Sequence, residues 1–434
     1  MNTESSTHVR TLSWVPTLYF AEGLPYVIVM TVAGIMYKNL GLSNAELALY
    51  TSWLYLPWVL KPFWSPIVDT LRTRREWVWA TQGILALGLL GIGLSLSSGN
   101  WLQLTLIFLW LMAITSATHD IAADGFYMLG LDDNQQAFYV GFRSTFYRIA
   151  MWTGEGGMLI LAGYMAGENP DFDAYADAWR WSFLAAGGLL GALAIFHSWV
   201  LPRPKSDRPG NRQHLWGEMG DAFVSFFQKP QIGLILAFLL TYRLGEAQLV
   251  KLAGPFLLDE AVAGGLSLST EAVGWINGTV GVAALIAGGI LGGILASANG
   301  LKTWFWPMIL AMNLPNLGYW LLSVYLPENP VWVTVAVGFE KFGYGFGFTA
   351  FLLYLLYVAR GNHQTAHYAI GTGFMALGMM LPGTVSGMVQ ESLGYPNFFL
   401  YIMLSTIPGM VLAYFIWRGL DPGFGKKKQE GEGE

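Results

Sequence analysis

The sequence predicts an all-α membrane protein with twelve transmembrane helices, arranged as two pseudo-symmetric bundles of six helices. Of its 434 residues, 54% are hydrophobic and only 12% are charged, whereas a soluble protein carries roughly 25% charged residues. Twelve apolar stretches approach the length of about 20 residues that crosses a bilayer. One long polar stretch, residues 202–229, separates the first six from the last six. Too few polar residues are present to cover a water-facing surface of this size.

The spans are placed by hydropathy and by the turn residues between them. Short polar or Pro-containing segments such as Leu40–Asn44 and Pro327–Pro330 mark the breaks. In chain order, spans 1 to 6 lie near 12–37, 44–68, 77–98, 101–131, 138–166 and 179–201. Spans 7 to 12 lie near 230–258, 270–297, 303–326, 330–360, 364–393 and 396–417.

Four parts of the chain follow from these spans. Residues 1–201 form the first bundle, and residues 230–417 form the second. Residues 202–229 are expected to be a cytoplasmic linker whose end, Leu215 to Phe227, is an interfacial helix. Residues 418–434 are a charged tail on the cytoplasmic side.

The loop charges predict the orientation. Of the 23 Lys and Arg residues, 14 lie on the side of the N-terminus and 2 on the opposite side. Cytoplasmic loops carry the excess of positive charge. We therefore expect a multi-pass protein of a bacterial cytoplasmic (inner) membrane with both termini in the cytoplasm.

Composition and motifs narrow the classes of function. The chain has no Cys, which argues against thiolate metal sites and Cys nucleophiles. Its formal net charge of −5 argues against a nucleic-acid partner. No phosphate-binding G-x-x-x-x-G-K-[ST] motif occurs, so ATP hydrolysis by this chain is not expected. We expect no cofactor, no metal and no catalytic residue, and a monomer whose partners are the lipid bilayer, a small-molecule substrate and protons.

Two loops form a weak internal repeat. The loop between spans 2 and 3 contains Asp69 followed by Arg72, Arg74 and Arg75, and the loop between spans 8 and 9 has Ser297 at the acid position. Both resemble the G-x-L-A-D-R-x-G-R-K loop of the major facilitator superfamily. The resemblance implies that Asp69 and the three arginines help to latch the cytoplasmic side; the alternative is that the arginines only set topology.

Three motifs resemble one branch of that superfamily, the muropeptide permease (AmpG-type) and acetyl-CoA transporter family. They are Gly23-Leu24-Pro25 in span 1, Lys61-Pro62-Phe63-Trp64-Ser65-Pro66-Ile67-Val68-Asp69 at the end of span 2, and Asp120-Ile121-Ala122-Ala123-Asp124 in span 4. The resemblance implies a secondary transporter with a central cavity lined by spans 1, 4, 7 and 10. It also implies import of cell-wall sugar–peptide fragments with protons.

Charged residues inside spans are candidates for function, because a charge at mid-membrane costs about 2.5–3.5 kcal/mol. We singled out such charges in spans 1, 4, 5, 7 and 10. Four of these five, spans 1, 4, 7 and 10, are the spans that the resemblance assigns to the cavity. The acids expected to carry protons are Glu22, Asp120, Asp124, Glu155 and Glu340. The residues expected to bind substrate are Arg148, Arg243, Glu246, Lys251 and Lys341.

Helical spacing gives expectations for pairing. Asp120 and Asp124 are four residues apart and should face one side of span 4, where Arg148 of span 5 could pair with one of them. Arg243 and Glu246 are three apart and could pair locally, which leaves Lys251 for an anionic group. The neighbours Glu340 and Lys341 should point to different faces. For all of these, the alternative is a structural network of buried ion pairs.

These observations favour a secondary active transporter, a proton-coupled importer of an anhydro-muropeptide-like substrate. It would work by alternating access, with residues 1–201 rocking against residues 230–417. An acyl-CoA or a siderophore-type solute is the alternative substrate. A membrane-embedded enzyme acting on lipid-linked sugars and a non-transporting sensor are the rival classes, and the motifs argue against the enzyme.

Overall fold

Helix is found at each of the twelve predicted spans. A computed structural model describes residues 2–209, 212–361 and 363–426. The first six spans comprise these segments: span 1, Asn2–Val27, Ile28–Val32 and Ala33–Asn39; span 2, Asn44–Trp53 and Leu56–Leu71; span 3, Arg74–Ser95; span 4, Trp101–Gly130; span 5, Asp133–Trp152, Thr153–Met158 and Leu159–Ala166; span 6, Phe172–Val200. Ile28–Val32 and Thr153–Met158 are π-helical turns inside otherwise α-helical spans.

The last six spans follow a helix in the linker, Arg212–Phe227. They comprise these segments: span 7, Ile232–Thr241 and Leu244–Leu258; span 8, Thr270–Val273, the π-helical Gly274–Gly281 and Val282–Asn299; span 9, Leu301–Asn313, Leu314–Asn316 and Leu317–Tyr325; span 10, Pro330–Ala359. Spans 11 and 12 lie together in the stretch made of Gln364–Ser405 and Ile407–Gly419. Spans 11 and 12 are separated at Gly394, whose φ of 71° breaks the helix at the predicted turn. The all-α fold class is therefore confirmed.

The chain divides into two compact units. Unit 1 comprises Met1–Leu42, Trp53–Glu218 and Ser269–Gly274, and unit 2 comprises Ser43–Ser52, Met219–Leu268 and Trp275–Glu434. The start of span 2 thus packs within unit 2, and the start of span 8 packs within unit 1. The sequence did not predict these two short pieces, because hydropathy marks where a helix crosses the membrane and not what it packs against.

Each unit has its own apolar core. In unit 1, Trp14 and Phe126 meet edge to face with ring centroids 5.3 Å apart. In unit 2, the rings of Tyr242 and Phe351 stack with centroids 4.8 Å apart. Spans 8 and 10 approach so closely that a Cβ at Gly288 would collide with the backbone of Phe342. Interfaces between membrane helices are enriched in small residues for this reason.

By length and composition, eight helices in the described part of the chain can cross a membrane. They correspond to spans 1, 3, 4, 6, 7, 8 and 10 and to the continuous stretch Gln364–Gly419, which contains spans 11 and 12. The protein is therefore a multi-pass membrane protein. Spans 2, 5 and 9 do not meet these criteria, and spans 2 and 5 contain several of the charged side chains of the candidate site.

Candidate functional site

Three carboxylates meet inside unit 1. Glu22 of span 1 and Asp120 and Asp124 of span 4 place oxygen atoms within 4.8 Å of one another. The spacing of four residues puts the two aspartates on one face of span 4, as the sequence indicated. Glu22 is buried, and its Oε2 atom has no hydrogen-bond partner among the described residues.

Two bases pair with this cluster. Lys61 of span 2 donates to Asp120 Oδ2, and the guanidinium of Arg143 on span 5 lies 2.6 Å from Asp124 Oδ1. Three carboxylates and two bases leave a formal charge of −1 when all are ionised. We refer to these five residues as the carboxylate cluster.

Aromatic rings fix the position of Arg143. The Tyr19 hydroxyl donates to Asp124 Oδ1 at 3.3 Å, and the Arg143 guanidinium carbon lies 4.4 Å from the centroid of the Tyr19 ring. The ring of Tyr127 lies 5.6 Å away from the same carbon atom. A cation over an aromatic face is attracted by the ring quadrupole, so Arg143 is held by both charge and stacking.

The prediction that Arg148 pairs with one of the two aspartates was therefore wrong. Arg143, not Arg148, pairs with Asp124, because an offset of five residues turns the two bases to different sides of the helix. Arg148 is five residues further along the same helix and is only half-buried. Among the described residues it has neither a hydrogen-bond nor an ion-pair partner. A base without a partner inside a span is suited to binding an anionic group.

Glu155 lies apart from the carboxylate cluster, on the π-helical turn of span 5. Its Oε1 atom accepts a hydrogen bond from the Thr31 hydroxyl at 3.1 Å, and Thr31 lies on the π-helical turn of span 1. Gly154 allows the contact between these turns, since a Cβ there would collide with Val27. π-Helical turns are frequent at functional sites.

A chain of buried polar side chains leads away from the carboxylate cluster. His119, next to Asp120, places Nε2 at 2.9 Å from Gln82 Nε2. Gln82 Oε1 lies 2.7 Å from His197 Nδ1, and His197 Nε2 lies 2.9 Å from the Thr17 hydroxyl. Four spans of unit 1 are joined in this way.

In unit 2, Arg243 of span 7 contacts aromatic side chains of span 10. It donates to the Tyr344 hydroxyl, and its guanidinium carbon lies 4.9 Å from the centroid of Phe348. The local pair with Glu246 that spacing suggested is not formed. The chain bends at Tyr242–Arg243, between the two helices of span 7, so Arg243 precedes the helix that carries Glu246.

Span 10 also differs from the expectation. The Lys341 ammonium lies 3.5 Å from Glu340 Oε2, so these neighbours form an ion pair and do not point apart. The flexible stem of lysine allows its ammonium to fold back toward the preceding residue. Glu340 is 1% exposed, so the pair lies inside the unit.

Lys251 of span 7 is buried and donates to the Thr51 hydroxyl at 3.0 Å within unit 2. The alternative that it extends to the membrane surface therefore does not hold. Thr51 belongs to the piece of span 2 that packs in this unit.

The residues expected to form a latch contact their own unit. The Arg75 side chain donates to the carbonyls of Leu201 and Ser198, at the end of span 6. The Arg74 side chain lies against Gly125 of span 4, and Arg72 is exposed. The side chain of Asp69 lies outside the described residues.

The sequence did not single out Lys61, Arg143 and Tyr19 as site residues. Lys61 belongs to the motif at the end of span 2, and Arg143 lies within span 5. A signal was therefore present: each acid of span 4 needs a base inside the membrane, and spans 2 and 5 supply those bases. Tyr19 gave no signal beyond its position one turn before Glu22.

Comparisons with known proteins agree on the type of protein. The family model described as Major Facilitator Superfamily matches residues 17–245. The anhydromuropeptide permease of Escherichia coli (strain K12) is 27% identical over 410 residues, which cover 91% of this chain and 77% of the permease. A protein of Rickettsia felis named putative transporter AmpG 4 is 23% identical over 416 residues, covering 92% of this chain and 94% of that protein. The crystal structure of a D-xylose–proton symporter has a TM-score of 0.73 at 12% identity, covering 97% of this chain and 100% of the symporter chain.

Proposed function

The chain belongs to the major facilitator superfamily, and we propose that it is a proton-coupled importer of an anhydro-muropeptide-like sugar–peptide. It would reside in a bacterial cytoplasmic membrane with both termini in the cytoplasm and work by alternating access. Membership of this superfamily makes it a membrane transporter and not an enzyme, so the alternative of an enzyme for lipid-linked sugars is set aside.

The carboxylate cluster carries the proposal of proton coupling. Its three acids and two bases have an unbalanced negative charge, and the unpartnered Glu22 oxygen is buried at the same place. One proton balances that charge. An uncompensated charge in a low-dielectric interior costs several kcal/mol, so uptake and release of one proton change the energy of the cluster substantially.

We assign the proton to Glu22 and Asp124, with Asp120 held by Lys61. Glu155, whose carboxylate is hydrogen-bonded to Thr31, would relay the proton along span 5. Thr31 and Glu155 lie where spans 1 and 5 both carry π-helical turns. Glu340 would play the corresponding part in unit 2.

Two observations support the proposed substrate: the position of Arg148 and the name of a relative. Arg148 is a half-buried base without a partner among the described residues, and it would bind a carboxylate of the substrate. Arg243, Lys251 and Lys341 would add positive charge in unit 2, where Glu246 would bind a cationic group. The E. coli relative is named an anhydromuropeptide permease, and such sugar–peptides carry carboxylates and amines.

Transport in proteoliposomes tests the proposal. Radiolabelled anhydromuropeptide should accumulate when the outer medium is more acidic than the lumen, and not when a protonophore removes the gradient. Asp124→Asn should abolish accumulation, whereas Asp173→Asn, at an exposed acid in the first turn of span 6, should transport normally. Accumulation without a proton gradient would refute coupling.

A competition assay distinguishes the substrate classes. Unlabelled acyl-CoA or a ferric siderophore should leave muropeptide uptake unchanged at concentrations where unlabelled muropeptide abolishes it. Inhibition by acyl-CoA with no uptake of muropeptide would instead favour the acyl-CoA alternative.

A further inference from the structure

Unit 2 contains two acids that receive no hydrogen bond. Glu246 of span 7 and Glu340 of span 10 are each 1% exposed. None of their four carboxylate oxygens has a hydrogen-bond partner among the described residues. The Tyr319 hydroxyl of span 9 is buried and equally without a partner. An ionised carboxylate in protein normally accepts several hydrogen bonds.

The two bases nearby equal the two acids in number, but neither is paired with Glu246. Besides each other, the described ionisable side chains that interact electrostatically with Glu246 or Glu340 are Arg243, Lys341, Tyr319 and Tyr344. The Lys341 ammonium pairs with Glu340. The Arg243 guanidinium is directed to the Tyr344 hydroxyl and the Phe348 ring. Among the described residues, Glu246 therefore has no cation in direct contact.

A proton resolves this arrangement. A carboxylate buried without donors is costly when ionised, and the neutral acid avoids most of that cost. A larger cation is less suited, because both acids are completely enclosed.

We propose that Glu246 is a second proton-binding site, so that two protons move with each substrate, one bound in each unit. The proposal rests on the proton coupling proposed above. It reassigns Glu246 from substrate binding to proton binding. It also moves the proton of unit 2 from Glu340 to Glu246, and the Glu340–Lys341 pair would provide polar surroundings for that carboxyl group.

Infrared spectroscopy of the purified protein tests the site without any substrate. The carbonyl stretch of a protonated carboxylic acid should be present at neutral pH, where exposed acids are ionised, and should lose one component in Glu246→Gln. Glu22→Gln should remove a different component, and Glu328→Gln, at an exposed acid of the loop after span 9, should remove none. An unchanged spectrum in Glu246→Gln refutes the site. If Glu246→Gln does not fold, Glu22→Gln provides the test. Complete loss of the wild-type band in Glu22→Gln would refute the site at Glu246.

The number of protons is measured by the pH gradient that stops net flux. Proteoliposomes with a tenfold gradient of labelled anhydromuropeptide, held at zero voltage, should reach zero flux at about 0.5 pH unit if two protons move. In Glu246→Gln, which should retain the unit 1 site, the balance should shift to about one unit. If the net flux of the wild type stops at one pH unit, the second proton is refuted and the coupling stands. If the flux does not depend on the pH gradient, the proposed coupling itself is refuted.

Discussion

Replacing Lys61 by Met should destabilise the protein through the charge of the carboxylate cluster. The substitution keeps most of the apolar stem but removes the ammonium that contacts Asp120. The formal charge of the cluster then changes from −1 to −2, while its carboxylate oxygens remain within 4.8 Å of one another. Removing one partner of a buried ion pair costs about 3–5 kcal/mol.

The expected magnitude is smaller because the pair is not fully enclosed. The Lys61 and Asp120 side chains are 28% and 23% exposed, so we expect a loss of about 2–3 kcal/mol. For a unit of roughly 200 residues this corresponds to a Tm lower by about 5–10 °C. The measurement is tryptophan fluorescence during heating of the detergent-solubilised protein.

A double variant that restores the charge separates the effect of charge from that of the lost packing. Lys61→Met with Asp120→Asn restores the charge of −1, so it should recover about half of the lost Tm or more. Lys205→Met, at an exposed linker residue, should unfold like the wild type. Equal Tm values for Lys61→Met and Lys205→Met would refute the charge argument, as would a double variant less stable than Lys61→Met alone.

Three further predictions follow from other parts of the molecule. Arg148→Gln should raise the KM for anhydromuropeptide by about 10- to 100-fold, because one charge-assisted hydrogen bond is lost. Its Tm should be unchanged. A normal KM would exclude Arg148 from substrate binding. Gly288→Ala should lower stability by about 1–3 kcal/mol through overpacking, whereas Gly293→Ala, whose Cβ meets nothing within 4 Å, should not; equal Tm values would contradict the close contact of spans 8 and 10. Because the chain has no Cys, a single introduced Cys reports the side of the membrane on which it lies. A membrane-impermeant maleimide should label Glu168→Cys from outside spheroplasts and Lys205→Cys only from the cytoplasmic side. Labelling of both from outside would contradict the orientation.

Periodicity and composition were sufficient for the helices but not for their interruptions. The twelve spans were located from apolar stretches and from the turn residues between them, which are local properties of the sequence, although spans 2, 5 and 9 are not apolar enough to qualify by themselves. The π-helical turns at Ile28–Val32 and Thr153–Met158 do not follow from it, because a π-turn is stabilised by what the helix packs against. Gly154 hints at one of them, but only its contact with Val27 shows why a small residue is needed.

Pairing inside the site was the less predictable part. Spacing within one helix correctly placed Asp120 and Asp124 on a common face. It could not decide between Arg143 and Arg148, because that choice depends on the rotation of span 5 against span 4. The same limit explains Glu340 and Lys341, where the flexible lysine stem overrides the angle between neighbouring helix positions.

The ion pairs of span 4 have a consequence for biogenesis. Span 2, which contains Lys61, and span 5, which contains Arg143 and Arg148, are absent from the eight helices apolar enough to cross a membrane by themselves. Each base adds about 2.5–3.5 kcal/mol to the cost of entering lipid alone. Asp120 and Asp124 of span 4 offset part of that cost for both neighbours. Spans 2 to 5 should therefore leave the translocon as a group, and loss of the two aspartates should appear first as failed insertion.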